Sequence, residues 1–477
     1  MIRCEMPKNN LIDANRPAAS ASAPAAVAVA VAVHGRVRGM KYLKRLMPLF
    51  ARLREVGCDR DKAGNRTMTM DQYCLLVMLY LFNPLIESMR LLQEAAALDG
   101  VAKKLGVKRF SAGAFSEAPA VFEPQRLTEV IRELLGELRT LHLPRTDPRL
   151  REIKHLITLV DSTLLATLPK LAATLCHNRR DGLPHHAWRL HTHLTLDCPV
   201  PERIDRTPGN NRKGPGGGGG GGGGGGNEVA HLYSCLEKDR CYVTDRGFFD
   251  AKLFNAINAI ASSYVCAVRC NLKPKLVQDR TLSWSQAQQQ SATAAGVVRD
   301  QLVQISLDSH EPSDHLVRLV ELRVPRHPKR TGGKPAPQAQ AQVQAQAQAQ
   351  VQVQEYQTFL ILTNLLDVPA EVIGLIYRYR WTIELFFRLL KQTLGCRHLL
   401  SHRPQGIDIQ IYCALIAAIL IHLQTGQKPD KRMMFLLGMY LAGWASEQEV
   451  IAALSRPDNT GVKRRAKDEL WRKLGVQ

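Results

Sequence analysis

Several things are missing or scarce in this 477-residue sequence. No uninterrupted apolar run reaches the roughly 18 residues a membrane-spanning helix needs. The best candidate, "IYCALIAAILI" (411–421), is shorter and reads as a buried helix. The N-terminal "AAVAVAVAV" alternates small residues and follows acidic ones, so it reads as low-complexity tail rather than a signal-peptide core. The eleven cysteines include no CxxC pair, and Cys266 and Cys270 stand four apart without neighbouring histidines. That speaks against a zinc site and for reduced thiols in a cytoplasmic protein. Acid is in short supply: 43 Asp and Glu face 64 Lys and Arg, a formal net charge of +21. A balance of that sign suits a polyanionic partner, nucleic acid first and an anionic membrane surface second.

Three low-complexity segments punctuate the chain: the Ala/Val/Pro stretch near 17–34, the glycine run Gly216–Gly226, and "PAPQAQAQVQAQAQAQVQVQ" (335–354). Glycine runs are flexible tethers, and the Gln-rich alternation has little to bury. Between them the pattern is ordered. "YLKRLMPLFARLREVG", "MDQYCLLVMLYLFNP" and "PQRLTEVIRELLGEL" have helical apolar spacing. "GVAKKLGVKRFSAGAFSEA" holds four cations and small residues that suit a turn between helices. This region fits a helix-turn-helix on DNA or an ordinary helical bundle equally well.

From residue 153 strands begin. "KHLITLVDST" reads as a strand ending in Asp161, "AWRLHTHLTL" alternates as a strand should, and "RCYVTDRGF" reads as a strand ending in Asp245. "DAKLFNAINAIAS" reads as a helix, then "YVCAVRC" and "YQTFLILTN" as strands, the latter leading through "VPAEVIGLIY" into a helix. Strands alternating with helices indicate a mixed α/β layer.

The segment "IYRYRWTIELFFRLLK" (376–391) reads as one helix. At roughly 100° per residue, Tyr377, Arg380, Glu384, Arg388 and Lys391 fall within about 80° of arc, opposite Ile376, Ile383, Phe386, Leu389 and Leu390. On its own Glu384 reads as a surface ion-pair partner of Arg380 or Arg388. The strand-end aspartates supply a second reading. Two aspartates and a glutamate at the ligand edge of an α/β sheet suit two divalent metals about 4 Å apart, with the cations meeting phosphates. "HHAWRLHTH" contains His185, His186, His191 and His193; without a paired Cys or His motif it reads as packing or phosphate contact before zinc.

The pattern Y-x2-R-x3-E-x6-K is met by Tyr377, Arg380, Glu384 and Lys391 and resembles the signature of the bacterial insertion-sequence-four-type DDE transposases. "LVDST", "DRGFFD", "LILTNL", "LKQTLGCRHLLSHRPQGIDIQIYCALIA" and "RFSAGAFSEA" are similar to the same family, covering roughly residues 40–425. The resemblance implies an α/β, RNase H-like catalytic core interrupted by a mostly β insertion, with an N-terminal helical domain and a C-terminal helical tail. The expected organisation is a low-complexity tail (1–39), a helical DNA-binding domain (40–150) and the first part of the core (151–270, with a glycine loop at 212–226). The insertion (271–354), the second part of the core (355–425) and a basic helical region (426–477) follow. It implies Asp161, Asp245 and Glu384 as catalytic ligands of two Mg²⁺ or Mn²⁺ ions. It implies Tyr377, Arg380, Lys391 and Arg246 as DNA-binding residues, Lys391 at a terminal phosphate. Phe359 stands where hairpin-forming members stack an aromatic ring on a flipped base; it also reads as a core strand residue.

The expected partner is double-stranded DNA, both terminal inverted repeats and target, with no membrane, a dimer in the synaptic complex, and a cytoplasmic, nucleoid-associated location in a bacterium. The expected activity is cleavage at the ends of a mobile element and strand transfer. A decayed or domesticated DNA-binding protein, or a nuclease of the same fold, are the alternatives. The glycine and Gln/Ala expansions depart from the family pattern and bear on whether this copy is active.

Overall fold

The computed structural model describes residues 41–56, 62, 68–83, 86–107, 109–140, 147–167, 174–177, 184–196, 198, 200–209, 228–268, 274–305, 312–325, 356–394, 396, 398–425, 431–441 and 444–455. The readings of 1–39, of both low-complexity insertions and of the basic 461–477 segment lie outside these residues.

Ten strands are described: β1 (Leu156–Ala166), β2 (Leu175–His177), β3 (Pro184–Thr195), β4 (Arg203–Pro208) and β5 (Arg240–Thr244) precede β6 (Ser263–Val268), β7 (Lys275–Asp279), β8 (Val297–Gln304), β9 (Val317–Pro325) and β10 (Tyr356–Thr363). The chain divides into two units. One comprises Met1–Arg145, Thr163–Asn210 and Glu384–Gln477, the other Thr146–Ser162 and Asn211–Ile383.

The second unit is built on a sheet in the order β1-β5-β6-β10-β9-β8-β7. β1, β5 and β6 run parallel, and β10, β9, β8 and β7 continue antiparallel. The sequence explains the difference. "SYVCAV" of β6 is buried at every position, as a strand covered on both faces must be. "KLVQD" of β7, at the sheet edge, is mostly exposed. Helix Ala251–Ala259 starts where the Asp250 carboxylate accepts the Leu253 N–H, and it turns Leu253, Phe254 and Ile257 inward. Phe254 stacks on Tyr264 with centroids 4.2 Å apart, among Tyr242, Phe248, Val303, Leu319 and Leu362. The described residues of region 271–354 contribute β7, β8 and β9 to this sheet, with helix Gln286–Ala294 between β7 and β8.

The first unit is centred on helix Pro404–Thr425, which packs against helices Met70–Phe82 and Leu127–Thr140. Its Pro404–Leu423 window is long and apolar enough to cross a membrane by length and composition, yet 89% of that window is buried inside the protein. It is longer than the "IYCALIAAILI" run because Gln410 is tolerated within it. The Gln410 amide accepts the Leu400 N–H at 2.9 Å and donates to the His398 carbonyl at 2.9 Å, so no polar atom is stranded. In the same unit β3 pairs with β2 and β4. Arg206 of β4 lies over the Trp188 ring at 4.3 Å and donates to both oxygens of Asp408 at 2.8 and 3.3 Å.

Three local readings change. "GVAKKLGVKRFSAGAFSEA" is mainly helical: Gly106, at φ 63°, closes helix Asp99–Leu105, and the Ser111 hydroxyl caps helix Ala112–Glu117. β1 does not end at Asp161 but continues to Ala166, because Leu165 of "STLLA" is also buried. The 376–391 segment is not one helix. Helix Ala370–Tyr379 ends at Arg380, helix Trp381–Arg388 follows, and a π-helical turn covers Leu389–Thr393.

Candidate active site

The parallel register β1–β5 pairs Leu156 with Arg240 and Leu159 with Val243. Extended by two residues, the same offset sets Asp161 level with Asp245. Adjacent strands lie about 4.8 Å apart. Residues at matching levels of parallel neighbours face the same side of the sheet, so the extended register puts the two aspartates on one side, Asp161 within β1 and Asp245 just past the end of β5. Asp161 is 8% exposed, and its Oδ1 accepts the Ser162 N–H at 2.7 Å. Asp245 follows β5 directly and accepts the Gly247 N–H at 2.8 Å, capping the turn Arg246–Phe248. The Cys266 thiol of β6 donates to the Asp245 carbonyl at 3.4 Å.

The break at Arg380 has a geometric result. Arg380 N–H donates to Tyr377 O at 3.0 Å and Ile383 N–H to Arg380 O at 3.2 Å, both three residues back, a tighter pitch than an α-helix. The Arg380 guanidinium lies 3.6 Å from Asp161 Oδ2. Burial raises the Tyr377 pKa above its ordinary value; Arg380 pulls it down, and Cys266 and Asp245 push it up. The Tyr377 ring lies 5.8 Å from that of half-buried Phe359. Asp161, Asp245, Tyr377, Arg380 and Phe359 are therefore gathered within one unit. Arg246 is exposed at the start of the turn behind Asp245.

Glu384 and Lys391 belong to the other unit. Glu384 is half-buried in the first turn of helix Trp381–Arg388. Lys391 stands in the π-helical turn, so a straight-helix projection does not hold there. Its Nζ donates to Thr163 Oγ1, which lies in the part of β1 that belongs to the same unit, at 2.5 Å. π-helical turns recur at functional sites. Among the described residues no group of three or more His, Cys, Asp and Glu is gathered so as to hold a metal. The donor chemistry at the aspartate pair nevertheless suits one. It offers carboxylate oxygens, the ligands preferred by hard divalent ions, with one oxygen already beside a cation.

Two histidines of the "HHAWRLHTH" segment have hydroxyl partners in the structure. His191 and His193 are buried in β3; the His191 ring bonds the Thr207 hydroxyl at 2.8 Å and His186 that of Thr174 at 2.8 Å. Two groups were missed from sequence. Glu228, 1% exposed, accepts the Ser162 hydroxyl. Arg318, 2% exposed, pairs with buried Asp300. The signal for Glu228 is an acid opening a helix; alternation in "VRLVELRVP" puts Arg318 opposite Val317 but does not say which face is buried.

Comparison with known proteins supplies the context. The chain matches the Transposase DDE domain family over residues 152–420. It is 23% identical over 307 residues to a putative transposase of Sinorhizobium fredii, covering 64% of this chain and 71% of that one. A stretch of 79 residues is 36% identical to a probable transposase for an insertion sequence element of Geobacillus stearothermophilus, covering 16% of this chain and 21% of that one. Among solved structures, the piggyBac transposase synaptic complex with hairpin DNA aligns with 88% of this chain and 82% of its own. The TM-score is 0.36 at 12% identity, a likeness too slight to speak to the fold.

Proposed function

The chain belongs to the transposase DDE-domain family, and from that membership we propose a DNA transposase that cleaves the ends of a mobile element and joins them to target DNA. Its role is DNA transposition, and the family generally uses divalent metal ions. The finer reading is an RNase H-like core, interrupted by the 271–354 insertion and preceded by a helical DNA-binding domain, of the insertion-sequence-four type. What supports it is the parallel register of β1 and β5, which, extended by two residues, sets Asp161 level with Asp245.

Asp161, Asp245 and Glu384 would hold two Mg²⁺ or Mn²⁺ ions, which when bound supply activation of a water or 3′-hydroxyl and stabilisation of the leaving oxygen. The chain's own residues do the rest. Arg380 neutralises charge beside Asp161 and meets a phosphate. Tyr377, fixed by Arg380 and the Phe359 ring, grips the DNA end. Lys391 takes a terminal phosphate, Arg246 a flanking one, and Phe359 offers a face for an unstacked base. The partners are terminal inverted repeats and target duplex, brought together by a dimer at the bacterial nucleoid in the cytoplasm.

The test uses purified full-length protein, Mg²⁺ and a labelled end fragment. Wild type should nick and join; Asp161→Asn, Asp245→Asn and Glu384→Gln should each lose at least about 100-fold in cleavage while retaining end binding in a mobility-shift assay. Full activity in any one of the three variants would remove that residue from the site.

A further inference from the structure

Glu228 opens helix Glu228–Ser234 and is almost completely buried. Acids are seldom buried to that extent unless paired, and a favourable interaction with the helix terminus needs no burial. The Ser162 hydroxyl donates to Glu228 Oε1. Ser162 also donates its backbone N–H to Asp161 Oδ1 at 2.7 Å. One residue thus carries two hydrogen bonds, one to each carboxylate. Ser162 lies within β1, so its amide direction follows the strand; the Glu228 contact ties that piece of strand down, and the tied amide restrains the rotation of the aspartate. With Oδ1 taken, Oδ2 is the oxygen turned to a cation, and it is Oδ2 that lies 3.6 Å from the Arg380 guanidinium.

We propose that Glu228 is a positioning residue which, through Ser162, holds Asp161 with Oδ2 presented to a divalent metal ion. This rests on the reading of Asp161 as a metal ligand. Partners that orient a ligating carboxylate typically change metal affinity by about 10- to 100-fold when removed. The Ser162 hydroxyl needs an acceptor, not a charge, so an amide at position 228 serves as well as a carboxylate.

The experiment measures Mn²⁺ binding to the full-length protein without DNA, by the loss of free-ion paramagnetic resonance signal, with far-UV circular dichroism to verify folding. Glu228→Ala and Ser162→Ala should each weaken binding about tenfold or more, and Glu228→Gln should stay within about twofold of wild type. Asp161→Asn separates the two layers. If it leaves Mn²⁺ binding unchanged, the metal-site reading itself fails. If it weakens binding while Ser162→Ala does not, the positioning role alone is overturned. Glu228→Gln as weak as Glu228→Ala also overturns it, because charge and not the hydrogen bond would then matter. Ser162→Ala keeps the test decisive should Glu228→Ala fail to fold.

Discussion

Asp300→Ala should destabilise the sheet unit by about 3–5 kcal/mol, the usual cost of stranding one partner of a buried ion pair. The reasoning starts from exposure: the Arg318 and Asp300 side chains are 2% and 1% exposed. Arg318 Nε and Nη2 reach the two Asp300 oxygens at 2.7 and 2.8 Å, a bidentate pair. Its Nη1 donates to the carbonyls of Leu365, at 3.1 Å, Leu366, at 3.3 Å, and Val368. Without Asp300 the guanidinium keeps the carbonyls but loses its counter-charge in a place water does not reach. Arg280, which donates to Leu366 O at 2.7 Å and lies 3.9 Å from Asp300, adds a second cation to the deficit. The carbonyls belong to the connection into helix Ala370–Tyr379, so the loss should also loosen Tyr377 and Arg380. Urea titration followed by far-UV circular dichroism measures the stability, with hydrogen exchange at residues 364–380 reporting the loosening. The pair Arg318→Met with Asp300→Leu should recover part of the loss but not all, since the Leu365 and Val368 carbonyls then lose this donor while Leu366 keeps Arg280, at about 1–3 kcal/mol for each left unsatisfied. A loss below about 1 kcal/mol in Asp300→Ala would refute the argument that this pair is effectively desolvated.

Other outcomes follow from single contacts. Gly296 has φ 80°, and an added Cβ would stand 2.3 Å from the Arg323 carbonyl; Gly296→Ala should cost at least about 2 kcal/mol in urea stability, from left-handed strain and the backbone shift together. His155 is held below its ordinary pKa, chiefly by burial, and its Nδ1 lies 2.7 Å from the Ser263 hydroxyl. Folding therefore favours the neutral ring, and the contribution is present above the unfolded value of about 6.5 and declines as pH falls through it. The wild-type urea midpoint should fall between pH 7.5 and 5.5 more than that of His155→Gln; equal falls would remove His155 as a cause. Arg380→Gln should weaken end binding in a mobility-shift assay and reduce its salt dependence by about one unit of slope, as the loss of one phosphate contact requires; an unchanged slope would take Arg380 off the DNA.

Much of the local structure was legible in the residues. The β-branched and apolar runs around Ile157, Val243 and Val265 read as strands because a strand covered on both faces must be apolar throughout. The end of β5 at Asp245 was legible because the acid and the glycine that follow form a turn. The spacing of Tyr377, Arg380, Glu384 and Lys391 resembles a family signature in the sequence alone, while the family itself is shown by the match over residues 152–420. The turn at Arg380 was not, since no proline or glycine marks it and a helical projection assumes an unbroken helix.

By itself the sequence determined the α/β character, the basic balance that calls for a polyanion, and which acids stand beside strands and among cations. Those properties depend on neighbours a few residues apart, and periodicity and composition report them directly. Only the tertiary structure decided that β1 and β5 pair in parallel in the register that brings Asp161 towards the level of Asp245, that Arg380 turns to Asp161, and that Glu228 and Arg318 are buried beside their partners. These are contacts between segments tens to hundreds of residues apart. Their register is set by strand pairing and core packing summed over the whole unit, and no local pattern carries it.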